Sequence, residues 1–377
     1  VLRTMYQEFR GVRIMAYSNI TDPSAHFQTA IYTGNGDSSD DTNAITNDGN
    51  SNLKPDFLWI KRRDYDNGHQ LADSTRGVTK FLGSETVAAE VTVSGRLASF
   101  DTDGFTVQSS SGAFNAENEP FVGWQWKANA GTTTAFTESG NNPGGTRQTN
   151  TVAGFSIISY TGTGAPGNIA HGLPSAPEMI IFKNRGTTNV WATWHVSLGD
   201  DYKLELNGTG AKDSDGSFMN STLPDATNIR VGDSNNPNTN ADTGTYICYA
   251  WSPIQGYSKF GSYVGNGASD ASPNTDGPFI YTGFSPAFVI IKKTSAVDDW
   301  LIFDNKRAGY DPAVYRLYPN SNTTETSGTN NTIQFTSNGF KIRFHGGSMN
   351  TSGGTYIYMA FAEHPFVTST GIPTTAR

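Results

Sequence analysis

Cysteine is almost absent from this chain of 377 residues. Cys248 has no second cysteine in the chain with which to form a disulfide, which excludes the small secreted scaffolds that disulfide bonds hold together. A lone cysteine usually packs as a small apolar side chain, so we expect Cys248 to be buried in a strand.

Charged residues and long apolar runs are also scarce. Asp, Glu, Lys and Arg make up 16% of the chain, against roughly 25% in an average soluble domain. The net charge is −8, which argues against a basic surface for nucleic acid. No apolar run approaches the ~20 residues that a helix needs to cross a bilayer, so we expect no membrane insertion.

The first residues lack the pattern of a targeting signal. The stretch "VLRTMYQEFRGVRI" (1–14) has no apolar centre of the kind found in signal peptides. Met15 opens "MAYSNITDPSAHF", which is typical of a natural start. We therefore treat 1–23 as an N-terminal segment and interpret 1–14 as an extension upstream of that start.

Turn-forming and aromatic residues take the place of the missing charge. The chain has 41 glycines, many Asn, Ser and Thr residues, and 12% aromatics. Gly, Asn and Ser favour turns, aromatics favour strands, and the scarce Lys and Glu are the residues that favour helices. This composition predicts an all-β protein with many short strands.

One dozen-residue stretch occurs three times. It reads "HFQTAIYTGNG" from His26, "GFSIISYTGTG" from Gly154 and "GYSKFGSYVGNG" from Gly256. Each copy is followed by a proline and an apolar run that ends in lysine, within "PDFLWIKRR", "APEMIIFKNR" and "SPAFVIIKKT". Apolar runs of this length, opened by proline, are typical of strands that are buried on both faces.

A second shared block lies at a near-constant distance from those lysines. The blocks "FVGWQWKA", "YICYAWSP" and "YIYMAFAE" begin 60, 63 and 64 positions after Lys61, Lys183 and Lys292. The first and third copies also share "DTDGFTV" (101–107) and "TSNGFKI" (336–342). Repeats of roughly 100–110 residues indicate duplicated domains, since solenoid repeats are usually ~20–50 residues long.

We therefore predict three tandem β-sandwich domains, of jelly-roll or lectin-like type, that share one internal repeat. The predicted division is an N-terminal segment (1–23), a first repeat (24–130), a polar linker (131–151), a second repeat (152–255) and a third repeat with a C-terminal tail (256–377).

The histidines and the serine and glycine motifs give no catalytic or metal pattern. The six histidines, none of them paired at metal-ligand spacing, are His26, His69, His171, His195, His345 and His364. No GxSxG elbow or Walker loop is present, and the Gly-rich stretches precede no helix. We predict no catalytic, cofactor-binding or metal-binding residues, and we leave the ligand-binding residues open.

Acidic residues are the remaining material for hydrolysis or calcium binding. A β-rich glycosidase needs two carboxylates, but Asp40–Asp41, Asp200–Asp201 and Asp298–Asp299 are adjacent pairs whose side chains diverge on extended chain. The oxygen-rich stretches 37–50, 213–216 and 233–242 do not fit an EF-hand loop. We interpret both groups as turn residues and leave bound calcium as an alternative.

The first and third repeats also share an acid–base pair. Asp73 and Arg76 in "DSTRG" match Asp304 and Arg307 in "DNKRAG", and we expect each pair to brace a turn.

Aromatic side chains are the best material for recognition, because sugar rings stack on them. Trp191, Trp194 and Trp300 follow the lysine-ended strands, and we expect them in the core. Tyr65 and Tyr310 lie in expected turns, and we leave their role open.

Several of these motifs, in this order, resemble a domain family of phage virion proteins that is common among marine phages. The resemblance rests on "YTGNG", "PDFLWIKRR", "DSTRG", "SFDTDGFTV" and "FVGWQWKA", then on "HGLPSAPEMIIFKNR", "QGYSKFGSY" and "GFSPAFVIIKKT". The ending "GGTYIYMAFAEHPFVTSTGIPTTAR" is similar as well. The match runs from Met15 onward, and such proteins are usually described as tail-fibre or structural proteins.

The resemblance implies a virion protein without enzyme activity or cofactor. Its most direct interpretation is a tail fibre or receptor-binding appendage on the particle surface that contacts host glycan or protein. The implied partners are other virion proteins, a host surface molecule and further copies of the chain. A capsid decoration protein and a polysaccharide-degrading tailspike enzyme are the two alternatives.

Overall fold

The computed structural model describes residues 18–36, 38, 41–108, 112–268, 276–308, 313–328, 332–343, 347–367 and 373–374. Strands dominate this part of the chain, every pairing between the strands named below is antiparallel, and the prediction of an all-β protein is confirmed. None of the described helices is long and apolar enough to cross a membrane.

The first repeat and the predicted linker contribute eleven of the described strands. Their bounds are β1 Phe27–Thr33, β2 Thr42–Ile45, β3 Phe57–Arg62, β4 Gln70–Asp73, β5 Lys80–Phe81, β6 Val91–Thr92, β7 Leu97–Asp101, β8 Gly104–Gln108, β9 Pro120–Trp126, β10 Thr134–Phe136 and β11 Gly144–Asn150.

The second repeat contributes eight described strands. They are β12 Phe155–Thr161, β13 Gly167–Ala170, β14 Met179–Asn184, β15 Trp191–His195, β16 Tyr202–Glu205, β17 Asp213–Ser214, β18 Asn228–Val231 and β19 Thr245–Trp251. Short 3-10 helices cover Pro23–Ala25, Val196–Leu198 and Gly216–Phe218.

The third repeat contributes the last seven described strands and two single-turn helices. They are β20 Ser258–Val264, β21 Phe279–Tyr281, β22 Phe284–Lys293, β23 Trp300–Asp304, α1 Asn305–Ala308, β24 Ile333–Thr336, β25 Gly339–Ile342, α2 Gly347–Asn350 and β26 Thr355–Pro365.

Strand order is the same in the main sheet of each repeat. The first strand pairs with the last, and the last pairs with the lysine-ended strand and then with the strand that follows it. The orders are β1-β9-β3-β4, β12-β19-β14-β15 within a longer sheet, and β20-β26-β22-β23. A smaller sheet accompanies each, namely β2-β8-β7, β13-β18 and β21-β25-β24.

Two glycines explain the shared "DGF" and "NGF" motifs. Gly104 and Gly339 begin matching strands of the two three-stranded small sheets. A Cβ atom at Gly104 would lie 1.9 Å from the carbonyl oxygen of Ile45, and one at Gly339 would lie 2.1 Å from that of Ile280. Only glycine lets the backbones approach so closely.

The predicted linker contains ordered strands. Strand β11 pairs with β12 over seven residues, and β10 pairs with β11, so both extend the main sheet of the second repeat. The strands of this segment could not be predicted from its polar residues, such as Thr and Gln, because an added edge strand needs little apolar surface.

The hydrophobic core joins all three repeats. One cluster of buried side chains contains Phe27, Phe57 and Trp126 of the first repeat, Phe155 and Trp251 of the second, and Phe288 and Phe361 of the third. The ring centroids of Trp126 and Trp251 are 6.3 Å apart, and those of Trp126 and Phe288 are 5.5 Å apart. The separate tandem domains that the repeats predicted are therefore not confirmed.

One segment of each repeat reaches a neighbouring repeat. We call these segments, 83–90, 205–212 and 318–325, the arms. The first arm contacts the lysine-ended strand of the second repeat, the second arm that of the third, and the third arm that of the first. Matching backbone N–H to O=C bonds join Glu90 to Arg185 (2.9 Å), Lys212 to Thr294 (3.0 Å) and Glu325 to Arg63 (2.6 Å). These contacts form a closed ring.

Candidate functional site

Ring closure creates three seams between neighbouring repeats, and two of them contain a cleft. The cleft between the first and third repeats has a volume of about 240 Å³ and is lined by side chains that include Gln28, Thr29, Asp48, Lys306 and Glu363. Carboxylates, an amide, a hydroxyl and an ammonium group therefore share one small concave surface.

Local structure fixes the acidic rim of this first–third cleft. Asp22 caps the 3-10 helix Pro23–Ala25 and accepts hydrogen bonds from the Ser24 backbone N–H and from the hydroxyls of Ser24 and Ser51. Burial opposes ionisation of Asp22, but these bonds outweigh it and lower the pKa of its carboxyl. Asp22 is thus held as a carboxylate.

The floor of the first–third cleft comes from β1. The Gln28 side chain donates to the carbonyl oxygens of Ser24 and Ser51 and accepts from the Gly49 N–H, which holds the loop against the strand. Thr29 is 4% exposed, and its Oγ1 has no hydrogen-bond partner among the described residues. A hydroxyl-rich ligand would supply such a partner.

A wider cleft lies between the second and third repeats. Its volume is about 580 Å³, and its lining includes Glu178, Lys259, Phe260 and Tyr281. The Lys259 ammonium lies 5.2 Å from the centre of the Tyr281 ring and donates to the Tyr281 carbonyl oxygen. Burial raises the pKa of the Glu178 carboxyl, which Lys259 only partly offsets.

Protein groups fill the corresponding seam between the first and second repeats. Gln148 of β11 is fully buried there, and its amide donates to the hydroxyls of Ser74 and Thr75. Asp56, which stands five residues before Lys61 as Glu178 stands before Lys183, accepts hydrogen bonds from three backbone N–H groups, those of Ala128, Ala130 and Gly131.

The aromatic residues lie largely where the sequence indicated. Trp191, Trp194 and Trp300 are at most 1% exposed; Trp191 and Trp300 belong to the shared core, and Trp194 to a separate buried cluster of the second repeat. Tyr65 is 60% exposed beside Arg62, whose guanidinium lies 5.0 Å from the centre of its ring. Tyr310 lies outside the described residues.

The described histidines are buried or half-buried in separate places. Burial, aided by Lys61 and Arg307, lowers the pKa of His69 to about 3. Burial lowers the pKa of His26 and of His195 to about 4. These rings are neutral hydrogen-bonding groups near pH 7, and His345 lies outside the described residues.

Protein donors occupy several carboxylates of the acidic pairs and of the oxygen-rich stretches. Asp298 accepts from the Ser348 hydroxyl and Asp299 from the Asn320 amide, so neighbouring carboxylates serve different segments. Within the described residues, no three His, Cys, Asp or Glu side chains cluster as a metal ion would require. In the 213–216 stretch, Asp213 and Asp215 form salt bridges with Lys203. Asp233 lies in the 233–242 stretch. Asp40 lies in the 37–50 stretch, outside the described residues.

The two shared acid–base pairs are internal. Asp73 with Arg76, and Asp304 with Arg307, form ion pairs whose side chains are fully buried. Each also joins two repeats, because the Tyr249 hydroxyl donates to Asp73 and the Trp124 indole N–H donates to Asp304.

The matched lysines carry a role that sequence inspection missed. Lys61, Lys183 and Lys292 are 0% exposed, and burial lowers the pKa of each to about 8. Lys183 donates to the carbonyl oxygen of Val87, and Lys292 donates to that of Thr209, so two of the three tie a strand to a neighbouring arm. Their recurrence at the end of each apolar run was the available signal.

One known protein family matches the chain. A family described as a domain of unknown function, DUF7483, matches residues 22–365. The chain therefore belongs to this family, whose match spans all three predicted repeats. No curated protein and no solved structure matches.

Proposed function

We propose that this chain is a structural protein of a phage particle, most directly a tail fibre or receptor-binding appendage exposed on the particle surface. Its three repeats, each with a main sheet and a smaller sheet, form a ring around a shared core, which gives a rigid mount for binding loops. The motif resemblance supports the virion assignment, and the proposed partners are other virion proteins and a host surface glycan or protein.

The first–third cleft is the observation that carries the receptor-binding role. It offers carboxylate and amide acceptors, the Lys306 ammonium and the buried Thr29 hydroxyl within about 240 Å³. Sites for polar ligands combine a concave surface with a few convergent polar groups. We therefore propose a hydroxyl-rich surface glycan as the ligand of this cleft.

Adsorption of the purified chain to cells that the virus infects tests this proposal. The chain is expected to bind the cells, and in excess it should block infection. The cleft variant Asp48→Ala with Glu363→Ala should reduce adsorption at least about tenfold, a loss equivalent to ~1.4 kcal/mol. The control Asp233→Ala with Asp242→Ala removes the same charge from the second repeat and should adsorb normally.

Capsid decoration is the second candidate, and the ring favours it. Three related units around one axis suit a site of threefold symmetry in a shell. A decoration protein would bind shells and leave cells untouched. Labelling intact particles with antibodies against the chain separates the two roles, because shell labelling without tail labelling would contradict the fibre assignment. Release of oligosaccharide from host envelope would instead support a tailspike enzyme.

A further inference from the structure

The first strands of the three repeats have the same position but different neighbours. Strands β1, β12 and β20 each pair with the last strand of their own repeat on one side. On its other side β12 pairs with β11 along seven residues, from Phe155 with Asn150 to Thr161 with Gly144. Among the strands that the structure describes, β1 and β20 have no neighbour on that other side and are edge strands.

In the part of the chain that the structure describes, a loop packs against β1, whereas no strand pairs with the outer edge of β20. Gln28 and its bonds to the loop at Gly49 and Ser51 lie over β1, whose first four residues are buried. In β20, Lys259 and Gly261 are half-buried and Ser262 is exposed. An open edge presents unpaired backbone N–H and C=O groups to any extended chain.

The wide second–third cleft adjoins this open edge, since Ser258, Lys259 and Phe260 line it. Glu178 also lines it, and its counterpart Asp56 accepts three backbone N–H groups in the filled seam. No hydrogen bond or ion pair to the Glu178 carboxylate is formed by the residues that the structure covers. A peptide backbone entering the cleft would satisfy this half-buried carboxylate.

Apolar side chains flank the same edge. Phe279 and Tyr281 of β21 are each 49% exposed. In the second repeat, the β10–β11 hairpin holds the corresponding strand β13. The Asn142 side chain accepts from the Asn168 N–H, and the Arg147 guanidinium donates to the Ala170 carbonyl oxygen. The hairpin thus bridges two sheets of the second repeat, and no described hairpin does so in the third.

We propose that the edge of β20, with β21 and the second–third cleft, is a docking site for one extended strand of a partner polypeptide. The strand adds antiparallel to β20, as β11 adds to β12. Its chemistry follows from β11, "GGTRQTN": small and hydroxyl-bearing residues along the edge, and a glutamine whose amide enters the cleft. This site does not depend on the proposed virion role.

A peptide with the sequence of residues 129–150 is the probe for a direct test. It is labelled with a fluorophore and titrated with the full chain, and anisotropy is expected to show saturable binding. The same peptide carrying Thr146→Pro and Gln148→Pro should bind at least about tenfold more weakly, because proline cannot donate to a β ladder. Equal binding of both peptides would overturn the proposal.

Variants of the chain locate the site. Glu178→Ala, and the pair Phe279→Ser with Tyr281→Ser, should each weaken peptide binding about fivefold or more. The matched control is Ile31→Ser on β1, which removes an apolar side chain that is 42% exposed and should leave binding unchanged. Weakening by the control alone would overturn the assignment to β20.

Hydrogen exchange provides a readout without peptide binding. The amides of Ser262 and Val264, which point away from β26, should exchange faster than those of Ser156–Thr161 in the free chain, and should slow when the peptide binds. Equal protection in the free chain, or dimers in sedimentation, would overturn the proposal. Ser18 packs against Gly256, so a chain beginning at Ser18 is run in parallel. Peptide binding by that shortened chain alone would assign the edge to residues 1–17 and also overturn it.

Discussion

His69 occupies the position where the other repeats have tryptophan. It lies eight residues after Lys61, as Trp191 and Trp300 lie eight after their lysines. The indole N–H groups of Trp191 and Trp300 donate to arm carbonyls, those of Gly83 and Glu205. The His69 ring lies 2.9 Å from the third arm, at the Tyr318 carbonyl oxygen.

The hydrogen bonds of His69 fix its protonation state. The Trp59 indole N–H donates to Nδ1 at 2.8 Å, so Nε2 carries the proton and donates to Tyr318. A second proton on Nδ1 would break the bond to Trp59. The geometry and the pKa near 3 therefore agree that His69 is neutral in the folded chain.

Acid sensitivity follows from this neutral histidine. Between pH 6.5 and 3 the unfolded chain binds a proton at His69 that the folded chain does not, so stability falls as the pH falls through that window. We expect His69 to contribute at most ~3 kcal/mol to the loss between pH 6.5 and 4. In urea unfolding at several pH values, His69→Gln should flatten the dependence of the free energy of unfolding on pH. Parallel curves for the native chain and His69→Gln would contradict this.

At the scale of elements, the arms hold the ring together with unequal chemistry. Glu325 in the third arm, 8% exposed at its side chain, pairs with Arg63 and Arg307. Glu90 occupies the same position in the first arm and pairs with Arg76 and Arg185. The second arm has Lys212 there, exposed and 4.0 Å from the centre of the Tyr202 ring.

This difference predicts unequal effects of matched substitutions. Glu325→Gln removes the carboxylate that Arg63 contacts and one of the two that Arg307 contacts, since Asp304 stays in place, and should lower the free energy of unfolding by about 2 kcal/mol. Lys212→Gln removes an exposed charge and should change it by less than ~0.5 kcal/mol. Urea unfolding measures both. Similar losses for the two variants would show that the arms do not depend on these ion pairs.

At the scale of the whole molecule, the shared core links the repeats. Phe288 of the third repeat contacts three aromatic rings of the first, those of Phe27, Trp124 and Trp126. Phe57 of the first repeat stacks on Tyr249 of the second at 4.3 Å. Excising one repeat would expose this surface to water.

The chain should therefore unfold in one cooperative transition. Calorimetry should show a single endotherm, because unfolding of one repeat would expose to water the apolar surface that its neighbours share with it. Phe288→Ala should lower the free energy of unfolding by about 3–4 kcal/mol and shift the whole endotherm. The fluorescence of Trp194, which reports unfolding of the second repeat, should shift by the same amount. Separate transitions, or a shift confined to the third repeat, would support independent tandem domains instead.

Much of the local structure was available from the sequence. Apolar runs such as "FLWIK" and "FVIIKK" identified strands buried on both faces, since a short continuous apolar run in an all-β chain is typical of such a strand. Turn residues predicted the hairpin at Asp101–Gly104. These features depend on side-chain pattern and backbone freedom within a few residues.

The site depended on tertiary structure. The first–third cleft joins Gln28 to Glu363, and the filled seam joins Asp56 to Gln148, contacts between positions far apart in the chain. The sequence by itself determined the strands that are buried on both faces, the repeats and the absence of an intrachain disulfide. Only the packing of three main sheets around one core decided which seams are filled and which are open, because burial of a shared apolar surface sets the positions of the repeats, and no local pattern encodes that geometry.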